Sequence, residues 1–257
     1  MPFTIHIGLP KSGSTLLQQI FKEQTNSNTY LSKDTNNFVY QNLIRYCQDD
    51  TLYDDKNFKE IDLNFDKNTN YIISDEEFLN KTINDIGVCL KKLDILFNPR
   101  IIIVLRNQVD FIYSAYRNNN FAFYGTKIKL KGSLEDIIEK CLINDTATYH
   151  FFRFLKFNTF LESLYKIFSK ERIKILFYED LIRNPRNFFS GVNTFLNENY
   201  DYEKLKNRKT NKTRLLHKIL YPKKKRICKK IFNFYYNENI ELSKKFDVPK
   251  EYIDFIY

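Results

Sequence analysis

A lysine, two glycines and three hydroxyl side chains come together in the segment GLPKSGST at residues 8–15. Two glycines followed by a hydroxyl pair are typical of a phosphate-binding loop, of which the Walker loop G-x-x-x-x-G-K-[ST] is one version. Here Ser14 follows the second glycine directly, and Lys11 lies two residues before that glycine. A lysine at the mouth of the loop, rather than under a triphosphate, indicates chemistry on a group attached to a single phosphate.

The segments on either side of the loop have the patterns of a strand and a helix. FTIHIG at 3–8 is short, apolar and β-branched, and STLLQQIFKE from Ser14 places its apolar residues at helical spacing. A strand-loop-helix unit presents unpaired backbone N–H groups and the positive end of the helix dipole to an anion. We expect Gly13 to let the backbone approach that anion, and the hydroxyls of Ser12, Ser14 and Thr15 to add donors.

A second candidate site lies in IIIVLRNQVDFIYSAYRN at residues 101–118. Arg106 follows a buried strand, and Ser114 is eight residues further on. Two turns of helix bring Ser114 back to the side from which Arg106 projects. An arginine and a serine that converge in this way predict a charge-assisted clamp for a phosphate monoester.

These two motifs resemble those of the sulfotransferases that use 3'-phosphoadenosine-5'-phosphosulfate (PAPS). PKSGST is similar to the 5'-phosphosulfate loop P-K-S-G-[ST]-T of that family. The resemblance implies that Lys11 binds the bridging oxygen and stabilises the departing phosphate. It also implies that the amides and hydroxyls from Ser12 to Thr15 hold the 5'-phosphate.

The second motif corresponds to the family's block R-N-P-x-(D/E)-x-x-x-S, which binds the 3'-phosphate. Arg106 and Ser114 occupy its two ligand positions. Gln108 replaces the usual proline, and we expect little effect because that residue is not a ligand. The segment ILFYEDLIRNP resembles the family's Y-E-D-L segment, which implies an adenine contact for Tyr178; ordinary packing is the alternative for this residue. Leu16 stands where the family's cytosolic members usually have a tryptophan, so adenine stacking from that position is lost, and this departure argues against a close relation to the steroid and phenol enzymes.

The acceptor needs a general base, and NYIISDEEFL supplies Asp75, Glu76 and Glu77 at the end of a predicted strand. Carbohydrate sulfotransferases use a glutamate from this strand end, and the bacterial pattern S-x-E favours Glu76. We expect His6, inside the first strand, to be a core histidine. His150 and His217 have no partner that the sequence identifies.

The C-terminal part is strongly basic, with thirteen Lys or Arg and no acidic residue from Lys204 to Lys230. In the family a basic segment after the last strand closes over the nucleotide, which implies that Arg208 and Lys209 contact the 3'-phosphate. A solvated basic face is the alternative for each of them. The later segment FNFYYNENIELSKKF resembles the YY-x-x-N-x-x-L ending of small bacterial sulfotransferases.

The composition limits the class of protein. A formal charge of +10 over 257 residues suggests an anionic partner. The cysteines lie far apart without a C-x-x-C pair, which argues against a zinc site or a redox pair; they are Cys47, Cys89, Cys141 and Cys228. No signal-peptide pattern and no run of about 18 apolar residues occurs, so we expect a soluble, cytoplasmic protein without a transmembrane segment.

Strands alternating with helices predict the fold. The predicted strands are 3–8, 70–74, 100–105 and 172–178, and the helices that follow the last three are 76–80 with 83–97, 108–118 and 184–196. Two more helices are predicted at 133–144 and 148–168, and the tail beyond residue 204 is predicted to be helical.

We therefore predict a single sulfotransferase domain, residues 1–257, of the α/β class. It is a three-layer α/β/α fold with a central parallel sheet, a P-loop-like phosphate loop and a helical C-terminal part. Ligands should gather at the strands' carboxyl ends.

Two other functions fit parts of the sequence. In a P-loop kinase or NTPase that uses Mg-ATP, Asp75 would hold magnesium, but the lysine that such a loop needs after Gly13 is missing. A nonenzymatic binder of nucleic acid or membrane fits the basic tail, but it would not need two phosphate motifs. We predict sulfuryl transfer from PAPS, leaving PAP, to a hydroxyl or amine, with a saccharide as the preferred acceptor and a lipid or small metabolite as the alternatives. A singly charged sulfuryl group needs no metal, and no specific nucleic acid is expected.

Overall fold

A five-stranded parallel sheet forms the centre of the protein. The structure, a computed structural model, describes residues 3–9, 11–25, 30–32, 40, 41, 43, 70–75, 86–117, 133–143, 154–205 and 223–257. The strands are β1 (Phe3–Ile7), β2 (Tyr30–Leu31), β3 (Tyr71–Asp75), β4 (Arg100–Leu105) and β5 (Ile173–Phe177). They lie in the order β2-β3-β1-β4-β5, and all four pairings are parallel.

Helices connect and cover these strands. They are α1 (Ser14–Gln24), α2 (Ile86–Phe97), α3 (Gln108–Arg117), α4 (Leu134–Ile143), α5 (Phe157–Tyr165), α6 (Tyr178–Arg183), α7 (Pro185–Leu196) and α8 (Lys225–Ser243). Short 3₁₀ turns lie at Lys170–Arg172, Tyr202–Leu205 and Lys250–Tyr252.

The sheet is buried on both faces. In β4, Ile101, Ile103 and Leu105 face one hydrophobic core, whereas Ile102 and Val104 face the other. Helices α2, α3, α4, α5 and α8 contribute to the first core, and α1 and α7 contribute to the second. A strand buried on both faces must be a nearly continuous apolar run, which RIIIVL is. The predicted three-layer α/β fold is confirmed.

The order of the strands places a crevice at the centre of the sheet. From β1 the chain builds β2 and β3 on one side and then β4 and β5 on the other. Helix α1, which follows β1, and helix α3, which follows β4, therefore lie on opposite faces. Connections that leave neighbouring strands in opposite directions open a crevice at the strands' carboxyl ends, where ligands bind in open α/β sheets.

The prediction of one continuous helix at 148–168 is wrong, because the helix is interrupted in the middle. Helix α5 begins only at Phe157, and residues 155 and 156 are not helical. In a continuous helix the N–H of Thr159 would donate to the carbonyl of Leu155. Instead Gln108 Nε2 donates to the Leu155 carbonyl at 3.0 Å, and the Thr159 N–H donates to Glu238 Oε2 at 3.0 Å. Tertiary hydrogen bonds therefore replace the helical one.

The other predicted elements agree closely with the structure where it describes them. Strand β2 was not predicted, because two residues carry no periodicity. The predicted short helix at 76–80 lies outside the described residues, and so does the part of the C-terminal tail from 206 to 222.

Candidate active site

The loop between β1 and α1 has an unusual backbone conformation. Lys11 (φ 64°) and Gly13 (φ 85°) are both in the left-handed region, with Ser12 between them. Glycine adopts this conformation without strain, but a lysine does so at a cost of about 1–2 kcal/mol. A Cβ at Gly13 would lie 2.7 Å from Leu181 Cδ2 and 3.2 Å from Tyr178 Cδ2. The loop therefore requires glycine at position 13 for its conformation and for its close contact with α6.

Hydrogen bonds hold the loop and leave its amides available. The carbonyl of Leu9 accepts the N–H of Ser12 (3.2 Å) and the hydroxyl of Ser14 (3.1 Å), and the Gly13 carbonyl accepts the N–H of Leu16 (3.0 Å). Among the described residues no backbone carbonyl accepts the N–H of residues 13, 14 or 15. Free amides at the start of a helix are suited to an anion.

The hydroxyls of the loop differ in their roles. We expected those of Ser12, Ser14 and Thr15 to serve as donors. The Ser14 hydroxyl instead donates to the Leu9 carbonyl, so Ser14 offers its amide. The Ser12 hydroxyl is buried and has no hydrogen-bond partner in the described part of the chain. A buried hydroxyl without a partner costs about 1–3 kcal/mol, which a bound anion would remove.

Arg106 brings the second motif to the loop. Its Nη1 donates to the carbonyl of Lys11 at 2.5 Å, and its guanidinium lies 4.4 Å from the centre of the Tyr178 ring. Its Nε is buried and finds no acceptor among the described residues. The ends of β1, β4 and β5 therefore meet here, and the structure brings together Lys11, Arg106 and Tyr178.

Ser114 lies on α3 and is partly exposed. The side chain of Asn107 caps this helix, because its Oδ1 accepts the N–H of Val109 (3.0 Å) and of Asp110 (3.4 Å). The cap fixes the start of α3 directly after Arg106. The shared phosphate contact of Arg106 and Ser114 stays a prediction.

A buried polar network that the sequence analysis missed lies behind Arg106. Glu179 accepts the N–H of Asn107 (2.9 Å) on Oε1 and the hydroxyl of Tyr252 (3.4 Å) on Oε2. Burial raises the pKa of Glu179, and the Asn107 N–H and the Arg106 charge oppose that rise. The Asn107 side chain also donates to the carbonyl of Glu251 at 2.5 Å. The segment after α8 thus holds the ends of β4 and β5 together.

Gln108 belongs to the same buried region. We expected its replacement of proline to matter little, because it is not a ligand. The structure shows a structural role instead: Gln108 is buried and bonds to the Leu155 carbonyl and to the side chain of Asn239 on α8. The sequence singles out Asn239 as the asparagine of the YY-x-x-N-x-x-L pattern, but it does not pair this residue with Gln108.

The base region is described only in part. Asp75 ends β3 and pairs in register with Ile7, so this strand end lies beside the start of the phosphate loop. Gln18 Nε2 donates to the carbonyl of Ser74 at 3.3 Å and ties α1 to the same strand end. Glu76, Glu77, Arg208 and Lys209 lie outside the described residues. Their roles stay predictions.

His6 is a core histidine, as predicted. It is buried, and its Nδ1 shares a hydrogen bond with Ser74 Oγ at 2.6 Å. Burial lowers the pKa of His6 to about 3. With so low a pKa the buried imidazole is a weak proton acceptor, which agrees with a structural role for His6.

The described residues also bear on a metal site, a membrane span and the cysteines. No group of three or more His, Cys, Asp or Glu in the described ranges has the arrangement of a metal site. None of the helices described is both long and apolar enough to cross a lipid bilayer. The free cysteines whose surroundings are described, Cys89 and Cys228, are buried.

Comparisons with known proteins identify the family and the fold. The profile of the sulfotransferase domain family matches residues 3–238. No curated protein sequence matches the chain significantly. The chain is similar to the crystal structure of a sulfotransferase from Alicyclobacillus acidocaldarius, with a TM-score of 0.56 over 99% of both chains and 13% identity, a likeness in fold. Because the family profile spans both the loop at Lys11 and the strand end at Arg106, the chain belongs to the sulfotransferase domain family.

Proposed function

We propose that the chain transfers a sulfuryl group from PAPS to a hydroxyl or amine of a saccharide. The observation that carries the proposal is the contact of Arg106 Nη1 with the Lys11 carbonyl, which joins the two phosphate motifs. The residues next to this contact also carry two buried donors without a partner among the described residues, namely Ser12 Oγ and Arg106 Nε. Two unsatisfied donors and a row of free amides fit a nucleotide with phosphates at both ends of its ribose.

The binding roles follow from position. The amides of residues 13–15 and the Ser12 hydroxyl hold the 5'-phosphate at the start of α1. Arg106 and Ser114 hold the 3'-phosphate, with Arg208 and Lys209 as further contacts. Tyr178 borders the nucleotide site through its contacts with Gly13 and Arg106.

Chemistry then occurs at the mouth of the loop. When bound, the donor supplies a sulfuryl group that forms a bond to the acceptor atom as its bond to the 5'-phosphate oxygen breaks, which leaves PAP. Lys11 neutralises the charge that develops on the departing oxygen. Glu76 takes the proton from the acceptor oxygen or nitrogen. Because the sulfuryl group carries one negative charge, a lysine and backbone dipoles stabilise its transfer without a metal ion.

The acceptor class rests on the base and on the surface charge. The base is a strand-end carboxylate, which the resemblance associates with carbohydrate sulfotransferases. The surface around the start of α8 is positive, because three lysines are exposed there: Lys224, Lys225 and Lys229. Such a surface attracts an acidic saccharide at low ionic strength.

Two measurements test the proposal. Calorimetric titration should show tight binding of PAP in the presence of EDTA and weaker binding of ATP with magnesium; the reverse order would indicate an NTPase. Incubation with ³⁵S-labelled PAPS and a panel of polysaccharides, oligosaccharides and phenols should label a saccharide. Binding of PAP with labelling of phenols alone would contradict the acceptor class only.

A further inference from the structure

We propose that Tyr178 is a positioning residue, which holds the Arg106 guanidinium and through it the backbone of Lys11. This inference rests on the proposed function, because it concerns the donor site. It departs from the adenine contact that the resemblance assigns to Tyr178.

The geometry of the Tyr178 ring carries the inference. One face of the ring is covered by the Arg106 guanidinium, whose carbon lies 4.4 Å from the ring centre. The ring's Cδ2 and Cε2 atoms lie against Gly13, 3.2 and 3.5 Å from where a Cβ would be. A ring held between the loop and an arginine serves as a platform for that cation.

Arg106 transmits the constraint to the catalytic lysine. Its Nη1 donates to the carbonyl of Lys11, a non-glycine residue that holds a left-handed conformation. Such a conformation persists only where the surrounding structure enforces it. Occupancy of the 3'-phosphate site and the position of Lys11 are therefore coupled through one guanidinium.

The coupling predicts which ligands respond to Tyr178. Loss of a residue that stacks on adenine weakens the binding of PAP and of adenosine 5'-monophosphate equally, because both nucleotides carry the base. Loss of a residue that positions Arg106 weakens mainly the binding of PAP, because only PAP carries the 3'-phosphate. It also affects the rate at saturating donor, because Lys11 is displaced.

The experiment compares Tyr178→Phe, which keeps the ring, with Tyr178→Leu and Tyr178→Met, which remove it. Tyr165→Leu is the matched control, because the Tyr165 ring also lies near a cation, Lys170 Nζ at 5.7 Å, but at the end of α5. Calorimetry gives the affinities for PAP and for adenosine 5'-monophosphate, and thermal unfolding confirms that each variant is folded. Transfer of ³⁵S at saturating PAPS gives the rate.

We expect the two ring-removing variants to bind PAP about tenfold more weakly and to transfer the sulfuryl group about tenfold more slowly. Their affinity for adenosine 5'-monophosphate should change by less than about twofold. Tyr178→Phe and Tyr165→Leu should stay within about twofold of the natural protein in every measurement. Equal weakening of both nucleotides with an unchanged saturated rate would overturn the inference in favour of an adenine contact. Failure of the natural protein to bind PAP would instead contradict the proposed function, and the inference with it.

Discussion

The side chains of Gln108 and Asn239 form a reciprocal amide pair. Gln108 Nε2 donates to Asn239 Oδ1 at 2.8 Å, and Asn239 Nδ2 donates to Gln108 Oε1 at 3.1 Å and to the Tyr252 carbonyl at 2.9 Å. Both side chains are almost fully buried. The pair therefore fastens α8 and the segment that follows it to the start of α3, directly behind Arg106.

Replacing Asn239 with leucine should destabilise the protein by about 2–4 kcal/mol, because two buried acceptors lose their donor. The measurement is the free energy of unfolding in urea. Asn237→Leu, on the exposed side of the same helix, should change that free energy by less than about 0.5 kcal/mol. Equal effects of the two substitutions would show that the amide pair has no special role.

Gly13→Ala should lower stability by about 2 kcal/mol or more, because alanine is strained at φ 85° and its Cβ would lie 2.7 Å from Leu181 Cδ2. The same substitution should weaken the binding of PAP, since the loop must shift. Gly191→Ala is the control: in α7 its Cβ would meet nothing closer than 3.5 Å, so stability should stay equal or rise by up to about 1 kcal/mol. A fully stable Gly13→Ala that binds PAP normally would show that the loop does not need this conformation.

Stability should depend on pH through His6. Its pKa is lowered from 6.5 to about 3 in the folded protein, so the unfolded chain binds the proton first as pH falls. The stabilising contribution is complete above pH 6.5 and is lost progressively between pH 6.5 and 3, by about 2 kcal/mol at pH 5. Urea unfolding at pH 7 and pH 5 should show this loss in the natural protein and not in His6→Gln. Parallel pH profiles of the two proteins would refute it.

Lys11→Ala should reduce the transfer rate at saturating donor by about 100- to 1,000-fold, because the charge on the departing oxygen loses its counterion. The KM for the acceptor should change far less. The exposed Lys22 in the last turn of α1 provides a control, since Lys22→Ala removes the same charge away from the crevice. A comparable loss in rate and in acceptor binding would argue against a role for Lys11 at the leaving oxygen.

The fold was largely predictable from the sequence because its signals are local. Four strands were predicted to within about a residue, since a strand such as RIIIVL, buried on both faces, is a continuous apolar run. The phosphate loop was visible because its glycine and hydroxyls are contiguous. The meeting of Arg106 with the loop followed from the rule that ligands gather at strand ends.

The remaining features depend on contacts between distant residues. Gln108 and Asn239 are separated by 131 positions, and no local pattern pairs them. A second long-range contact of Gln108 explains why the helix predicted at 148–168 is interrupted, since Gln108 Nε2 donates to the Leu155 carbonyl. That the Ser14 hydroxyl donates to the Leu9 carbonyl rather than to a ligand is likewise a matter of loop geometry, not of residue type.

A crystal structure with PAP tests the central claim most directly. We predict the 5'-phosphate on the amides of residues 13–15 and the Ser12 hydroxyl, and the 3'-phosphate on Arg106 and Ser114, with Lys11 at the 5' end. A nucleotide that binds elsewhere, or a crevice that stays empty at saturating PAP, would contradict the claim that the two motifs form one donor site.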